Sequence, residues 1–156
     1  MFDTPVDTWY LWLGVATTSL VAFGVATSLP TTPPPDAERA AATIDSVATS
    51  QYDAMGQQPL DATAVRLGPH RLGLRNDGGT THAAFAYGPV TPVQPGSTLE
   101  RVLEGAPPER VYTNASRFRA AAAAARNGSR EWDRTGGRLL VRHVTWGEVD
   151  VTLVGA

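Results

Sequence analysis

The sequence predicts an α+β protein: an apolar N-terminal helix, a proline-rich tether, and a small domain of two β-hairpins and about three helices. Three observations carry this. Residues 9–29, WYLWLGVATTSLVAFGVATSL, are 21 residues without a charge. Residues 30–35, PTTPPP, cannot continue a helix, because proline lacks the amide hydrogen and restricts its predecessor. Beyond them, helical spacing gives way to two-residue alternation around two turn signals, at 76–79 and 146–149. The predicted divisions are 1–29, tail and transmembrane helix; 30–35, tether; and 36–156, a soluble α+β domain.

As a helix, residues 9–29 would run about 31 Å at about 1.5 Å per residue, close to the roughly 30 Å of a bilayer's hydrocarbon core. The sequence reading is therefore a single membrane span. Trp9, Tyr10 and Trp12 cluster at one end, as interfacial aromatics do. Gly14 and Thr18, four apart in a patch of small residues, are candidate helix-packing positions. Arg39 is the one base near the span and speaks weakly for a domain inside. Two sequons, Asn114-Ala115-Ser116 and Asn127-Gly128-Ser129, speak for a domain outside the cytoplasm, with Asn114 and Asn127 as candidate glycosylation sites. The reading takes the outside placement.

The tether favours polyproline II and would act as a stiff spacer of roughly 20 Å. Asp36 is placed to cap a helix over 37–50, with Ala40, Ala41, Ile44, Val47 and Ala48 on one face; Tyr52 and Met55 extend that stripe. Residues 57–62 read as a loop. Arg71–Arg75 and Thr80–Tyr87 read as strands around Asn76-Asp77-Gly78-Gly79, residues that tolerate positive φ. Ser97-Thr98-Leu99-Glu100 has the form of a capping box at the head of a short helix. Asn114 is a candidate N-cap for a second helix through the alanine run to Arg126. The chain then alternates over 139–146, reverses at Trp146-Gly147-Glu148-Val149 and alternates again to Val154. Two hairpins make four strands, read here as one antiparallel sheet with helices on one face.

Composition excludes several chemistries. The chain has no Cys, hence no disulfide, thiolate nucleophile or thiolate metal site. All 13 basic residues are Arg, so Schiff-base lysines and Walker-type phosphate lysines are out. Residues 1–65 carry seven acids and Arg39; residues 66–156 carry 12 Arg against eight acids. That asymmetry is mild for a nucleic-acid binder.

His70, His82 and His143 lack the spacing of a metal-ligand pair, and the reading assigns no metal and no cofactor. Ser97 and Ser116 lie in no nucleophile-elbow pattern, and the carboxylates at 131, 133, 148 and 150 fall in exposed or turn-like positions. No catalytic residue is assigned. Arginines 117, 119, 126, 130, 134, 138 and 142, with Phe118 and Trp132 between them, form a loose basic run read as a solvated face, without a nucleic-acid partner.

The segments MFDTPVDTWYLWLG, SLPTTPPPDA, VRLGPHRLGLRNDGGTTHAAFAYGPVTPV and RLLVRHVTWGEVDVTLVGA together resemble an uncharacterised family of small haloarchaeal membrane-anchored proteins. The resemblance spans nearly the whole chain. It implies association with type IV pilus-like or secretion-type assemblies, and it carries over no functional residue. The chain departs from a true type IV pilin: it has no basic-glycine cleavage motif before the apolar segment and no Glu near that segment's start. The expectation is a non-enzymatic, membrane-anchored structural or interaction protein, a pilin-like accessory subunit with protein partners in a surface assembly. The competing reading is a membrane-tethered small-ligand or ion sensor with a pocket lined by Phe85, Tyr87 and Trp146.

Overall fold

A computed structural model describes residues 6–27 and 32–156, with side chains from 9–23 and 32–156. The tail before Val6 and the predicted boundary at Pro30 lie outside the described residues. The chain divides into two units, Met1–Thr32 and Pro33–Ala156.

The first unit contains one helix, α1 (Val6–Thr27). The sequence reading made it a membrane span, and this is corrected: among the described residues, no helix is long and apolar enough to cross a membrane. Asp7 and Thr8 occupy the first turn, and Thr17, Thr18 and Ser19 interrupt the apolar run at its middle. The single-pass localisation, and the extracytoplasmic placement built on it, are withdrawn with the span.

In the second unit the described elements are four helices, α2 (Ala37–Ala48), α3 (Thr98–Leu103), α4 (Pro108–Val111) and α5 (Ala115–Asn127), and eight strands. The strands are β1 (Ala54–Pro59), β2 (Ala64–Leu67), β3 (Arg71–Asn76), β4 (Gly79–Ala84), β5 (Thr91–Pro92), β6 (Asp133–Arg134), β7 (Arg138–Trp146) and β8 (Val149–Gly155). They form two sheets of four, ordered β1-β7-β8-β5 and β4-β3-β2-β6. The α+β class holds, but the single sheet is corrected to two. The two predicted hairpins, β3–β4 and β7–β8, fall into different sheets. The first sheet is completed by β1 and β5 and the second by β6, which carry no alternation signal, and by β2, whose Ala64-Val65-Arg66-Leu67 alternates in the sequence and reads as a strand. β1, read as largely loop, pairs antiparallel with β7, while β5 pairs parallel with β8.

Both faces of β7–β8 are buried, which separates two cores. Leu139, Val141 and Val154 point towards α2 and share a core with Ile44, Leu72 and Leu74, so α2 binds both sheets together. Val144, Val151 and Leu153 point the other way and pack with Leu99, Val102, Leu103 and Phe118 from the later helices. Arg142, predicted exposed, lies on this second face. Its guanidinium donates to the carbonyls of Val102 and Ala106, which ties the strand to the end of α3.

The caps divide. Asp36 accepts from the Arg39 amide at 2.9 Å, and Asn114 accepts from the Arg117 amide at 2.9 Å. Both satisfy donors that a helix start leaves free. The predicted capping box does not form: the Ser97 hydroxyl makes no cap bond, and the Glu100 carboxylate takes the Gly96 amide instead. Tyr52 and Met55 are exposed and do not extend the α2 stripe. The last prolines are docked, not free-standing. The Pro33 carbonyl accepts from Asn76 Nδ2 at 3.0 Å, and the Pro35 carbonyl from the Thr81 hydroxyl at 2.6 Å.

Candidate functional site

The apolar surface of α1 is the first candidate. Trp9, Tyr10, Leu11, Trp12, Leu13, Val15, Leu20, Val21 and Phe23 are 52% to 74% exposed. Five consecutive residues at about 100° each pass the whole way round a helix, so the exposure has no polar side to turn to water. Gly14 leaves an open notch with no atom within 4 Å of where a Cβ would stand. The Thr18 hydroxyl is satisfied within the helix by the Gly14 carbonyl at 2.8 Å. Gly14 and Thr18 therefore present a flat, hydrogen-bond-neutral strip.

The three histidines stay apart. His70 borders Gly88, and His82 lies over Gly73 against Trp132. His143 is buried, and among the described residues no group of three or more His, Asp or Glu side chains is arranged to hold a metal. The environment of His143 follows from strand register. His143 is paired with Thr152, and Asp150 lies two residues before Thr152 on the same face. The imidazole Nδ1 is 3.1 Å from the Thr152 hydroxyl and Nε2 is 3.4 Å from an Asp150 oxygen. Carboxylate, imidazole and hydroxyl stand in the order of a nucleophilic triad, but the geometry is turned inside out. Asp150 is the open end at 67% exposure, while Thr152 is only 8% exposed. A nucleophile must reach its substrate. This hydroxyl instead satisfies a buried histidine.

Phe85, Tyr87 and Trp146 do not share a pocket. Phe85 belongs to the first core, and Trp146 packs against the second, 6.3 Å from the Phe118 ring. Tyr87 lines a separate surface hollow with Asp150 and Thr152. Asn114 and Asn127, the sequon residues, are both exposed, one capping α5 and the other ending it.

The basic run of the sequence is dispersed by the fold. Phe118 is fully buried, Arg142 is spent on α3, and Arg126 donates to the buried Thr91 hydroxyl at 2.8 Å. Burial lowers the Arg126 pKa from its usual value. A different set of arginines comes together on the second sheet. Register places Arg66 opposite Gly73 and Gly73 opposite His82, with Arg71 and Arg75 two residues to either side of Gly73 on the same face. Arg134, opposite Ala64, shares that face.

Trp132 lies across this surface. The Arg66 and Arg75 guanidinium carbons are 5.1 and 4.7 Å from its ring centre. Gly73 makes this possible: a Cβ there would stand 2.8 Å from His82 and 3.1 Å from Trp132. On the same face, next to the Arg66 that stacks on the ring, is an open hollow of about 440 Å³ lined by Arg66, Gly68, Arg71, Leu72, Gly73, His82 and Arg130. The sequence offered a signal for it in the alternation Arg71-Leu72-Gly73-Leu74-Arg75, whose leucines read as a core face and whose arginines read only as an exposed one.

Among the described residues these features define a small α+β protein with two four-stranded sheets, a helix with exposed apolar side chains and a cationic sheet face. Residues 3–144 match a family of unknown function, DUF7283, and the chain belongs to it. The family is uncharacterised, as the sequence resemblance implied. Comparison with curated proteins and with solved structures gives no match.

Proposed function

We propose that this is a structural or interaction protein. It packs α1 among the apolar helices of other subunits, and its 33–156 unit supplies the assembly's outer contact surface. One observation carries the reading: α1 exposes large apolar side chains on every side. A helix apolar all round is stable only when surrounded, and each large apolar side chain gains about 1.5–3 kcal/mol on full burial. A single groove would cover one stripe and leave the rest in water. Several neighbouring helices are therefore required, and the Gly14–Thr18 strip is the face on which one of them can approach closely.

The specific form we propose is a pilin-like accessory subunit of a filament or secretion assembly. The resemblance to a haloarchaeal family found beside such assemblies supports it. The absence of a Glu near the start of the apolar segment argues for an accessory place rather than the repeating subunit.

Arginine substitutions at Leu11 and Leu13, about 200° apart on the helix at about 100° per residue, test this in the native host. The full chain should migrate in a discrete high-mass complex under non-denaturing conditions. Leu11→Arg and Leu13→Arg should each release it. A wild-type chain found as a free monomer, or both variants assembling normally, would refute the reading.

A further inference from the structure

We infer that the hollow on the cationic sheet face is a binding site for a tetrahedral oxyanion, a phosphate or sulfate group, held by Arg66, Arg71 and Arg130. The inference is independent of any role for α1.

Three observations converge. The first is charge without compensation. Three arginines line one hollow and no carboxylate does, and among the described residues none of these guanidiniums lies within 4 Å of a carboxylate oxygen. Register explains the imbalance. Asp133 is paired with Val65, on the opposite face of the sheet from Arg66, while Arg71, Arg75 and Arg134 share the Arg66 face.

The second observation is an unpaid desolvation. Arg66 is half-buried, and its Nε is shut off from water without a hydrogen-bond partner. A buried donor left unpaired keeps its desolvation penalty, which is larger on a charged group. An anion at the guanidinium's outer edge would offset that cost through charge-assisted bonds, which guanidinium forks form best with oxyanions.

The third is that Arg66 is held in place and that exposed arginines from two other segments stand beside it. Arg66 lies on the Trp132 ring. Arg130 lies beside Gly68, its Cδ 3.4 Å from the position a Cβ would take there, and its guanidinium donates to the Arg126 carbonyl at 3.4 Å. Arg71 projects from β3 beside Gly73. Donors from β2, β3 and the segment after α5 thus reach one hollow from three directions.

A single oxyanion fits better than a nucleic-acid strand. Strand binding uses aromatic faces on which bases stack, and here the Trp132 ring is engaged by Arg66 and Arg75. The group can arrive as the free ion or as an ester on a larger molecule.

Calorimetric titration of the full chain at constant ionic strength tests this, with inorganic phosphate, inorganic sulfate, methyl phosphate and a single-stranded oligonucleotide as probes. We expect saturable binding of at least one of the first three, stronger than chloride. Arg66→Gln combined with Arg71→Gln should weaken it at least tenfold, Arg71→Lys should retain part of it, and Arg101→Gln on α3 should leave it unchanged. Binding of inorganic ions and ester alike assigns the free ion as sufficient; binding of the ester alone assigns an ester. Far-UV circular dichroism confirms that each variant is folded. No saturable binding to any monoanionic or dianionic probe, equal binding by the folded double variant, or binding of the oligonucleotide alone would overturn the inference.

Discussion

Gly73→Ala probes the construction of the cationic face with one methyl group. The added carbon would stand 2.8 Å from His82 Cδ2, 3.0 Å from His82 Nε2 and 3.1 Å from Trp132 Cη2. Ordinary contact begins near 3.4 Å, so the histidine ring must retreat by about 0.6 Å and the indole by about 0.3 Å. His82 is exposed and can rotate away at little cost. Any retreat of Trp132 loosens its contacts with the two guanidiniums, now at 5.1 and 4.7 Å.

Each cation–π contact at an exposed site is worth about 0.5–1 kcal/mol, so their loss costs about 1–2 kcal/mol. Replacing glycine inside a strand recovers about 0.5–1 kcal/mol. Complete loss of both contacts would outweigh that gain narrowly, for a net destabilisation of at most about 1.5 kcal/mol by urea unfolding. The sharper readout is local. In a proton–nitrogen correlation spectrum the indole signal of Trp132, assigned with Trp132→Phe, should shift while those of the other three tryptophans stay in place. An unmoved Trp132 signal, together with stability raised by the full glycine-to-alanine gain, would refute the packing of Trp132 on Gly73.

Other predictions concern the unit that carries this face. Phe118→Ala removes a fully buried ring in contact with Tyr112 and Trp146 and should cost about 3–5 kcal/mol in urea unfolding; a loss below about 1 kcal/mol would mean that α5 is not docked on β8. Asn114→Ala should cost about 0.5–2 kcal/mol and Ser97→Ala close to nothing, because only the first side chain caps its helix; equal costs would contradict the capping geometry. Tyr112→Phe deletes a buried hydroxyl without a partner and should be neutral or stabilising by about 1 kcal/mol. Burial raises the Tyr112 pKa above 10.0. The neutral phenol's contribution is thus full below the unfolded value and is lost as pH rises through the folded one. The stability advantage of Tyr112→Phe should therefore grow above about pH 10, and a pH-independent difference would count against that burial.

Local chemistry was legible in the sequence where one element decided its own fate. Asp36 and Asn114 cap the helices they head, Gly147 takes a φ of 63° at the two-residue reversal, and Leu72 and Leu74 face the core. What was not legible depends on partners distant in the chain. β1 reads as loop because Gly56, the two glutamines and Pro59 lack a strand pattern. It is a strand because β7 offers it an edge, and Gly56 is required because a Cβ there would meet Val47 of α2 at 2.7 Å. The division of two hairpins between two sheets has the same origin: the short β5 and β6 complete each sheet and carry no periodicity of their own. The cationic face was missed because a run of nearby arginines was read along the chain, whereas sheet register gathers Arg66, Arg71 and Arg75 with Arg130 from a distant segment. For α1, an uncharged stretch suggested a span by length, while the hydroxyls at its centre and the polar first turn shorten its apolar run.

The account rests most heavily on α1 being surrounded by protein. The chain has no cysteine, so single cysteines placed at each position from Trp9 to Phe23 report one side chain at a time. In the native assembly, a small apolar thiol-reactive photo-cross-linker attached at these cysteines should give protein adducts from positions all round the helix. The same positions should resist a water-soluble maleimide. Uniform maleimide labelling without protein adducts, or protection without any protein cross-link, would contradict it.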